Sequence, residues 1–399
     1  MSESIAVYVH FPFCLSICPY CDFDRQATGF DRIDAYLDAV RAEARRYEGL
    51  GLHAHSVFFG GGTPSLMRPD QVSALLKAVR RMVLLDDGAE VTLEANPGDA
   101  DAAKMRGFRA AGVNRVSMGV QSLDPAYLQL LGRRHSVEDV RRAARWAKDA
   151  DLRLNLDLIY GLPSQSLEHW RSTLEAMLAL SPDHLSCYLL TVDEKVPMGR
   201  DVARGRLRLP DDDALAAQYD LARAVLATAD YEQYEISNWA RPGEASRHNL
   251  TYWRDGQWIG LGAGAASSFE GRRWKNTPAL ERYIGSIATG GAAARVEDEP
   301  FGLADAMLDF LTLGLRLREG VSAAVLRHRF QAELGEVLGE EGQVLLDGGV
   351  LERTARGVRI ASERQLVTNE VLARLAPQVA AWASERALSK PVQVPVTSQ

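Results

Sequence analysis

Residues Tyr8–Phe23 read "YVHFPFCLSICPYCDF". An alternating apolar run stops at Pro12, and Cys14, Cys18 and Cys21 follow it within eight positions. The run from Ile5, "IAVYVHF", has the period-two pattern of a strand, so the thiols stand on the loop at that strand's carboxyl end. Structural zinc usually takes four ligands in two Cys/His pairs, and the spacing C-x3-C-x2-C, with no second pair behind it, is not that pattern. A cubane [4Fe–4S] cluster normally takes four thiolates. Three on one compact loop hold three irons and leave the fourth without a protein ligand, an open corner for a substrate. Cys187 is the one other cysteine. It could complete the set, but it lies mid-run in "HLSCYLL" and reads more simply as a buried, inert strand residue.

Further short apolar runs follow: "SVFF" from Ser56, "EVTLEA" from Glu90, "NRVSMGV" from Asn114, "LRLNLDLIY" from Leu152 and "HLSCYLL" from His184. Stretches such as "QVSALLKAVRRMVLL", with apolar residues recurring at three and four positions, separate most of them. Strand alternating with helix implies parallel βαβ units. Six units are too few for a closed eight-fold barrel, so an α/β fold built on a partial, open (β/α)6 barrel is expected. Unusual residues close most of these runs: the cysteines, "GGGTPS", "EANP", "QS" and "DLIYGLP". Each alone marks a turn or a cap. Together, at the strand ends where β/α barrels keep their sites, they mark a pocket.

The core is expected over residues 1–235. An aromatic-rich extension, expected to lie over the barrel mouth, takes 236–300. A mainly helical, winged-helix-like module with a hairpin in "LLDGGVLERTARGVRIA" takes 301–388, and a disordered tail takes 389–399. The 399 residues are 46% hydrophobic and carry a formal net charge of −7 with Lys and Arg scattered, so no basic nucleic-acid footprint exists. No apolar run approaches a membrane span, and no signal peptide is seen. A reducing, cytoplasmic setting with free thiols is the expectation.

"YVHFPFCLSICPYCDF", "FFGGGTPS", "LEANPGD", "RVSMGVQS", "LGRRHS", "NLDLIYGLPSQ" and "RHNLTYW" together resemble the radical S-adenosylmethionine (SAM) superfamily, and within it the HemN-like group. The resemblance runs from about residue 5 to about residue 270, and more loosely beyond. It implies a [4Fe–4S] cluster on Cys14, Cys18 and Cys21 whose open iron chelates SAM, reductive cleavage of which yields a 5′-deoxyadenosyl radical. Carried over position by position, Tyr8, Tyr20, Gly61, Gly62, Thr63, Glu94, Gln121, Arg133 and Asp157 match SAM-contacting positions, some of which hold a second SAM in coproporphyrinogen III dehydrogenase. "GGGTP" lacks the Lys-Ser/Thr of a phosphate loop, which speaks against a nucleoside triphosphate.

Two departures set the branch. The dehydrogenase has a further cysteine two residues after the third, where this chain has Phe23, and it carries a sizeable segment before its first strand. Both departures match the haem chaperone branch, HemW, which implies haem as a third ligand and haem-acceptor proteins such as respiratory enzymes as partners. Oxidative decarboxylation of coproporphyrinogen III stays as the alternative activity, and a radical SAM methyltransferase as a third. His248 in the branch motif HNxxYW is the residue expected to ligate haem, with Tyr252 and Trp253 against the porphyrin. The alternative is a loop histidine with packed aromatics. His10 is expected to orient the cluster loop. "GLGAGAASSF" from Gly260 is a weak signal, a close-packed turn over the pocket. Dimerisation and membrane contact stay open at this point.

Overall fold

Period-two alternation decides where each strand's side chains go. In Arg153–Tyr160, Leu154, Leu156 and Leu158 are fully buried in the apolar layer under the helices, so Asn155 and Asp157 face the other way. The same logic holds for β1 (Ile5–Phe11), β2 (His53–Gly61), β3 (Leu84–Ala95), β4 (Arg115–Gln121), β5 (Arg153–Tyr160) and β6 (His184–Leu189). All six pair in parallel and in sequence order. Amphipathic helices lie between them, such as Pro69–Met82 and Val137–Asp149, the latter opened by a Ser136/Asp139 capping box. The computed structural model describes residues 4–290, 295–300 and 302–389.

This is the expected open barrel, and later segments extend it at both edges. β7 (Glu232–Glu235) and β8 (Asn238–Ala240) add to β6 as an antiparallel hairpin. β9 (Trp258–Leu261) lies parallel against β1, and β10 (Ala266–Phe269), β11 (Arg272–Asn276) and β12 (Arg295–Pro300) continue outward in antiparallel order. The two strands flanking the barrel's gap are thereby paired, which leaves neither β1 nor β6 as a bare edge. Between the two extensions, helix Arg247–Trp253 enters the barrel from its amino-terminal end. Glu90, at the amino-terminal side of the β3 ladder, accepts hydrogen bonds from Ser246 Oγ (3.2 Å), Arg247 N (3.3 Å) and His248 N (3.2 Å). Arg115, the first residue of β4, donates to the Glu244 carbonyl at 2.9 Å. The expectation of an aromatic extension over the mouth does not hold for this helix: it forms the floor.

A second apolar cluster, from Ala306 to Ala383, is separate from that of the barrel. It gathers helices Leu303–Gly314, Ala323–Phe330, Leu334–Asp347 and Thr368–Ser389 around a small sheet in which Gly357–Ile360 lies between Val321–Ser322 and Leu351–Arg353. The predicted hairpin is the pair Leu351–Arg353 and Gly357–Ile360. Ion pairs Arg273–Asp309, Arg254–Glu319 and Arg329–Asp255 tie this part to the barrel side. Ser389 ends the last helix, and the rest of the expected tail lies outside the described residues. Among the described residues no helix is long and apolar enough to cross a membrane.

Candidate functional site

One cavity of about 530 Å³ runs down the barrel, and all thirteen residues expected at the site line it. Cys14, Cys18 and Cys21 stand at its mouth on the loop after β1, half-buried, while Cys187 is buried in β6 and lines no part of it. Residues 12–26 close on themselves: Gln26 N donates to Pro12 O (2.7 Å) and Cys14 N to Gln26 O (2.9 Å). His10 does what was expected of it. Its Nε2 donates to the Asp24 carbonyl at 2.7 Å, which leaves Nδ1 to accept from the Tyr8 hydroxyl at 3.0 Å. Burial holds its pKa below the usual histidine range, so the ring stays a neutral tether.

The glycines after β2 sit beside this loop. A Cβ on Gly62 would lie 2.7 Å from the Phe13 carbonyl oxygen, so only glycine allows the two backbones to meet. Gly62 N and Thr63 N bond to Phe11 O and Phe13 O at 2.7 and 2.9 Å, and Thr63 Oγ1 donates to Cys14 Sγ at 3.4 Å. Arg133 reaches the loop from the far side. Its Nη1 lies 3.5 Å from Cys18 Sγ, and its Nη2 donates to the Gly119 carbonyl at 2.5 Å and to Asn96 Oδ1.

Deeper in, two carboxylates share the cavity. Glu94 accepts from Gly61 N at 3.1 Å. Burial, and secondarily the charge of Asp157, push its pKa up to about 8. Burial also raises Asp157, opposed by hydrogen bonds from Ser186, Asn155 and Ser117. Gln121 is set by backbone: at φ +70° it centres a tight turn closed by Ser122 N to Val120 O (2.9 Å), where β4 bulges against β5. A side chain in that left-handed conformation costs on the order of 1–3 kcal/mol, and strain of this kind gathers at ligand sites. His248 and Tyr252 close the inner end. His248 is buried and stacks on Phe58 at 4.9 Å, with Nδ1 on Ser56 Oγ (3.0 Å) and Nε2 on the Tyr252 hydroxyl (2.8 Å). Both ring nitrogens are engaged, and burial lowers the pKa to about 3.

The donor set fits the two groups that the thiols and glycines suggest. Among the described residues no three His, Cys, Asp or Glu side chains gather as they would around a single ion. A cubane instead asks for one thiolate at each of three corners. Among the described residues the cavity wall also carries five buried polar atoms without a partner: Arg25 Nε, Thr92 Oγ1, Arg115 Nη2, Gln121 Oε1 and Arg133 Nε. Buried polar atoms are nearly always satisfied, so a polar ligand with both donors and acceptors suits this wall.

Sequence reasoning passed over several lining residues. Ser117, Asn155, His184 and Ser186 form a chain behind Asp157, with Asn155 Nδ2 to Asp157 at 2.8 Å and to Ser117 Oγ at 2.7 Å, and His184 Nδ1 to Asn155 Oδ1 at 2.6 Å. Their signal was the odd-even alternation of each strand, which puts polar residues on the face opposite the leucines. Asn96 was visible only as part of "EANP", and nothing in sequence tied it to Arg133.

Comparison with known proteins agrees with this geometry. Residues 8–177 match the radical SAM superfamily and residues 303–363 the HemN C-terminal domain. A Mycobacterium tuberculosis protein named heme chaperone HemW is 38% identical over 367 residues, covering 90% of this chain and 93% of its own. The chain belongs to the HemW family of radical SAM proteins. A mouse protein named radical S-adenosyl methionine domain-containing protein 1, mitochondrial, is 39% identical over 403 aligned positions, covering 96% of this chain and 89% of its own. The structure of coproporphyrinogen III oxidase (HemN) from Escherichia coli superposes with a TM-score of 0.79 at 22% identity, over 94% of this chain and 90% of that one. That likeness bears out the fold. HemW-family membership accounts for the cysteine loop and the C-terminal helices together.

Proposed function

We propose that this HemW-family chain is a haem chaperone: it carries a [4Fe–4S] cluster on Cys14, Cys18 and Cys21, binds SAM in the barrel, and hands haem to acceptor proteins in the cytoplasm. The observation that carries the reading is the convergence of three half-buried thiols and the Glu94 and Asp157 carboxylates on one cavity in a chain of this family. When bound, the cluster supplies one electron at a time and an open iron for the amino acid end of SAM. The chain's own contribution is placement. Thr63 and Arg133 approach two of the thiol sulfurs, Gly61 and Gly62 let backbone come close, and Glu94 with Asp157 offers negative charge to an ammonium or sulfonium and acceptors to ribose hydroxyls.

For haem, His248 stays the proposed iron ligand with one condition from the geometry: the iron must take Nε2 from the Tyr252 hydroxyl. Tyr252→Phe removes that competitor and is expected to tighten haem binding by about tenfold, the worth of one hydrogen bond. His248→Ala is expected to weaken binding by at least as much. Absorbance titration with haem measures both, and no tightening in Tyr252→Phe together with full affinity in His248→Ala would remove this histidine from the proposal. Haem held without His248 would leave the carrier reading standing on another ligand.

The test of the function is anaerobic. Reduced, cluster-loaded protein is given SAM and coproporphyrinogen III in one arm, and haem followed by an apo-acceptor in the other. Transfer of haem without decarboxylation is the expected result. Loss of two carboxyl groups from the porphyrinogen, read by mass spectrometry, would make the chain a dehydrogenase instead.

A further inference from the structure

The turn in "GLGAG" is absorbed by none of the roles above, and it lies against the cluster loop. Because β9 runs parallel to β1 with Gly260 beside Tyr8, residues 262–265 emerge at the mouth end, next to His10. Two of its glycines are there because something else occupies the space. At Gly262 (φ +106°) a Cβ would lie 2.4 Å from the Tyr36 hydroxyl and 2.8 Å from the His10 carbonyl oxygen. At Gly264 (φ +77°) it would lie 3.0 Å from the Asp24 side chain.

The turn is itself held from behind by a buried carboxylate. Glu43 accepts from Gly262 N (2.8 Å), from the Tyr283 hydroxyl (2.6 Å) and from Asn276 Nδ2 (2.7 Å). Tyr36 bridges the turn to β1, donating to His10 O at 2.6 Å and accepting from Ala263 N at 3.2 Å. The adjoining strand then reaches over to the loop: Lys275 Nζ lies 3.0 Å from the Asp24 carboxylate. Asp24 stands three residues past Cys21, and its carbonyl is the one that His10 grips.

We propose that Gly262–Asn276 is a second anchor of the cluster loop, and that Lys275 is a positioning residue which acts through Asp24 to fix the loop and set the electrostatic surroundings of the cluster. This rests on the radical SAM reading for the cluster itself, whereas the loop contacts exist without it. The sign follows from charge. With the ammonium gone, the Asp24 carboxylate stands unpaired beside the cluster loop. A negative charge there disfavours the added electron, so the reduction potential falls.

The experiment uses the full chain in two states. In the cluster-free protein, amide hydrogen exchange is followed at residues 22–28. In the reconstituted protein, the cluster's midpoint potential is read by a redox titration monitored by electron paramagnetic resonance. Lys275→Met is expected to speed exchange in 22–28 and move the potential in the negative direction, and Lys275→Arg to restore both. Adding Asp24→Asn to Lys275→Met is expected to cancel the negative shift, since the unpaired charge is then gone. Unchanged exchange in Lys275→Met, or a shift that survives in the double variant, would overturn the proposal. If the wild-type chain assembles no cluster, it is the radical SAM reading that fails, and the exchange arm still decides whether the latch exists.

Discussion

Replacing any one of Cys14, Cys18 or Cys21 by alanine is expected to abolish the proposed cluster, and replacing Cys187 is not. The three thiols line the cavity mouth and are partly exposed, so removing one leaves no large void and the fold survives. Each corner of the cubane they would hold has a single protein ligand, and no fourth thiol stands by, since Cys187 is buried among the apolar residues of the barrel. Cys187→Ala is expected to cost about 1 kcal/mol of stability, as for an ordinary small core change. The measurement is iron and sulfide content with visible absorbance after anaerobic reconstitution, beside circular dichroism as the control for folding. A full complement of iron in Cys18→Ala would refute the assignment.

Glu94→Gln is expected to have two large effects of opposite kind. Ligand affinity falls: a carboxylate that meets an ammonium in a buried site is worth roughly 1.5–3 kcal/mol, or about ten- to a hundred-fold in SAM binding. Stability above neutral pH rises. Burial and the neighbouring Asp157 raise the Glu94 carboxyl from 4.5 to about 8. Between those values the folded chain keeps a proton that the unfolded chain has lost. The wild-type protein therefore has this stability in full below about pH 4.5, loses it as pH rises toward 8 at up to about 1.4 kcal/mol per unit, and loses no more beyond. The glutamine variant lacks that slope. Urea unfolding of the ligand-free protein at several pH values between 5 and 8 measures the difference. Parallel curves for the two proteins would show that Glu94 is not held protonated, while SAM affinity equal to wild type would remove it from the ligand site.

The same pairing makes a statement about binding. A ligand that brings a positive charge to Glu94 and Asp157 must displace the proton they retain, so its affinity is expected to rise with pH toward 8.

What could be read without the fold was whatever the chain encodes within a few residues. Three thiols in eight positions, the glycines of "GGGTP", and leucines at every second place in "LRLNLDLIY" follow from covalent spacing and strand period, which no neighbouring element alters. That was enough for the open barrel and the cluster loop, while the SAM-contacting positions and His248 came from the resemblance to the family. What needed tertiary structure was every relation between elements. Arg133 meets Cys18 across 115 positions, and Asp24 meets Lys275 across an even longer span. Only the pairing of β9 with β1 brings the turn that follows β9 to the cluster loop. The HNxxYW helix was placed over the mouth because sequence shows its aromatics but not Glu90 and Arg115, which draw it to the floor. His248 is the sharpest case. Its motif advertises a free imidazole, and only packing supplies Ser56 and Tyr252 to engage both nitrogens. Local patterns declare which face a side chain takes; what it meets there is set by strands and helices brought together from far along the chain.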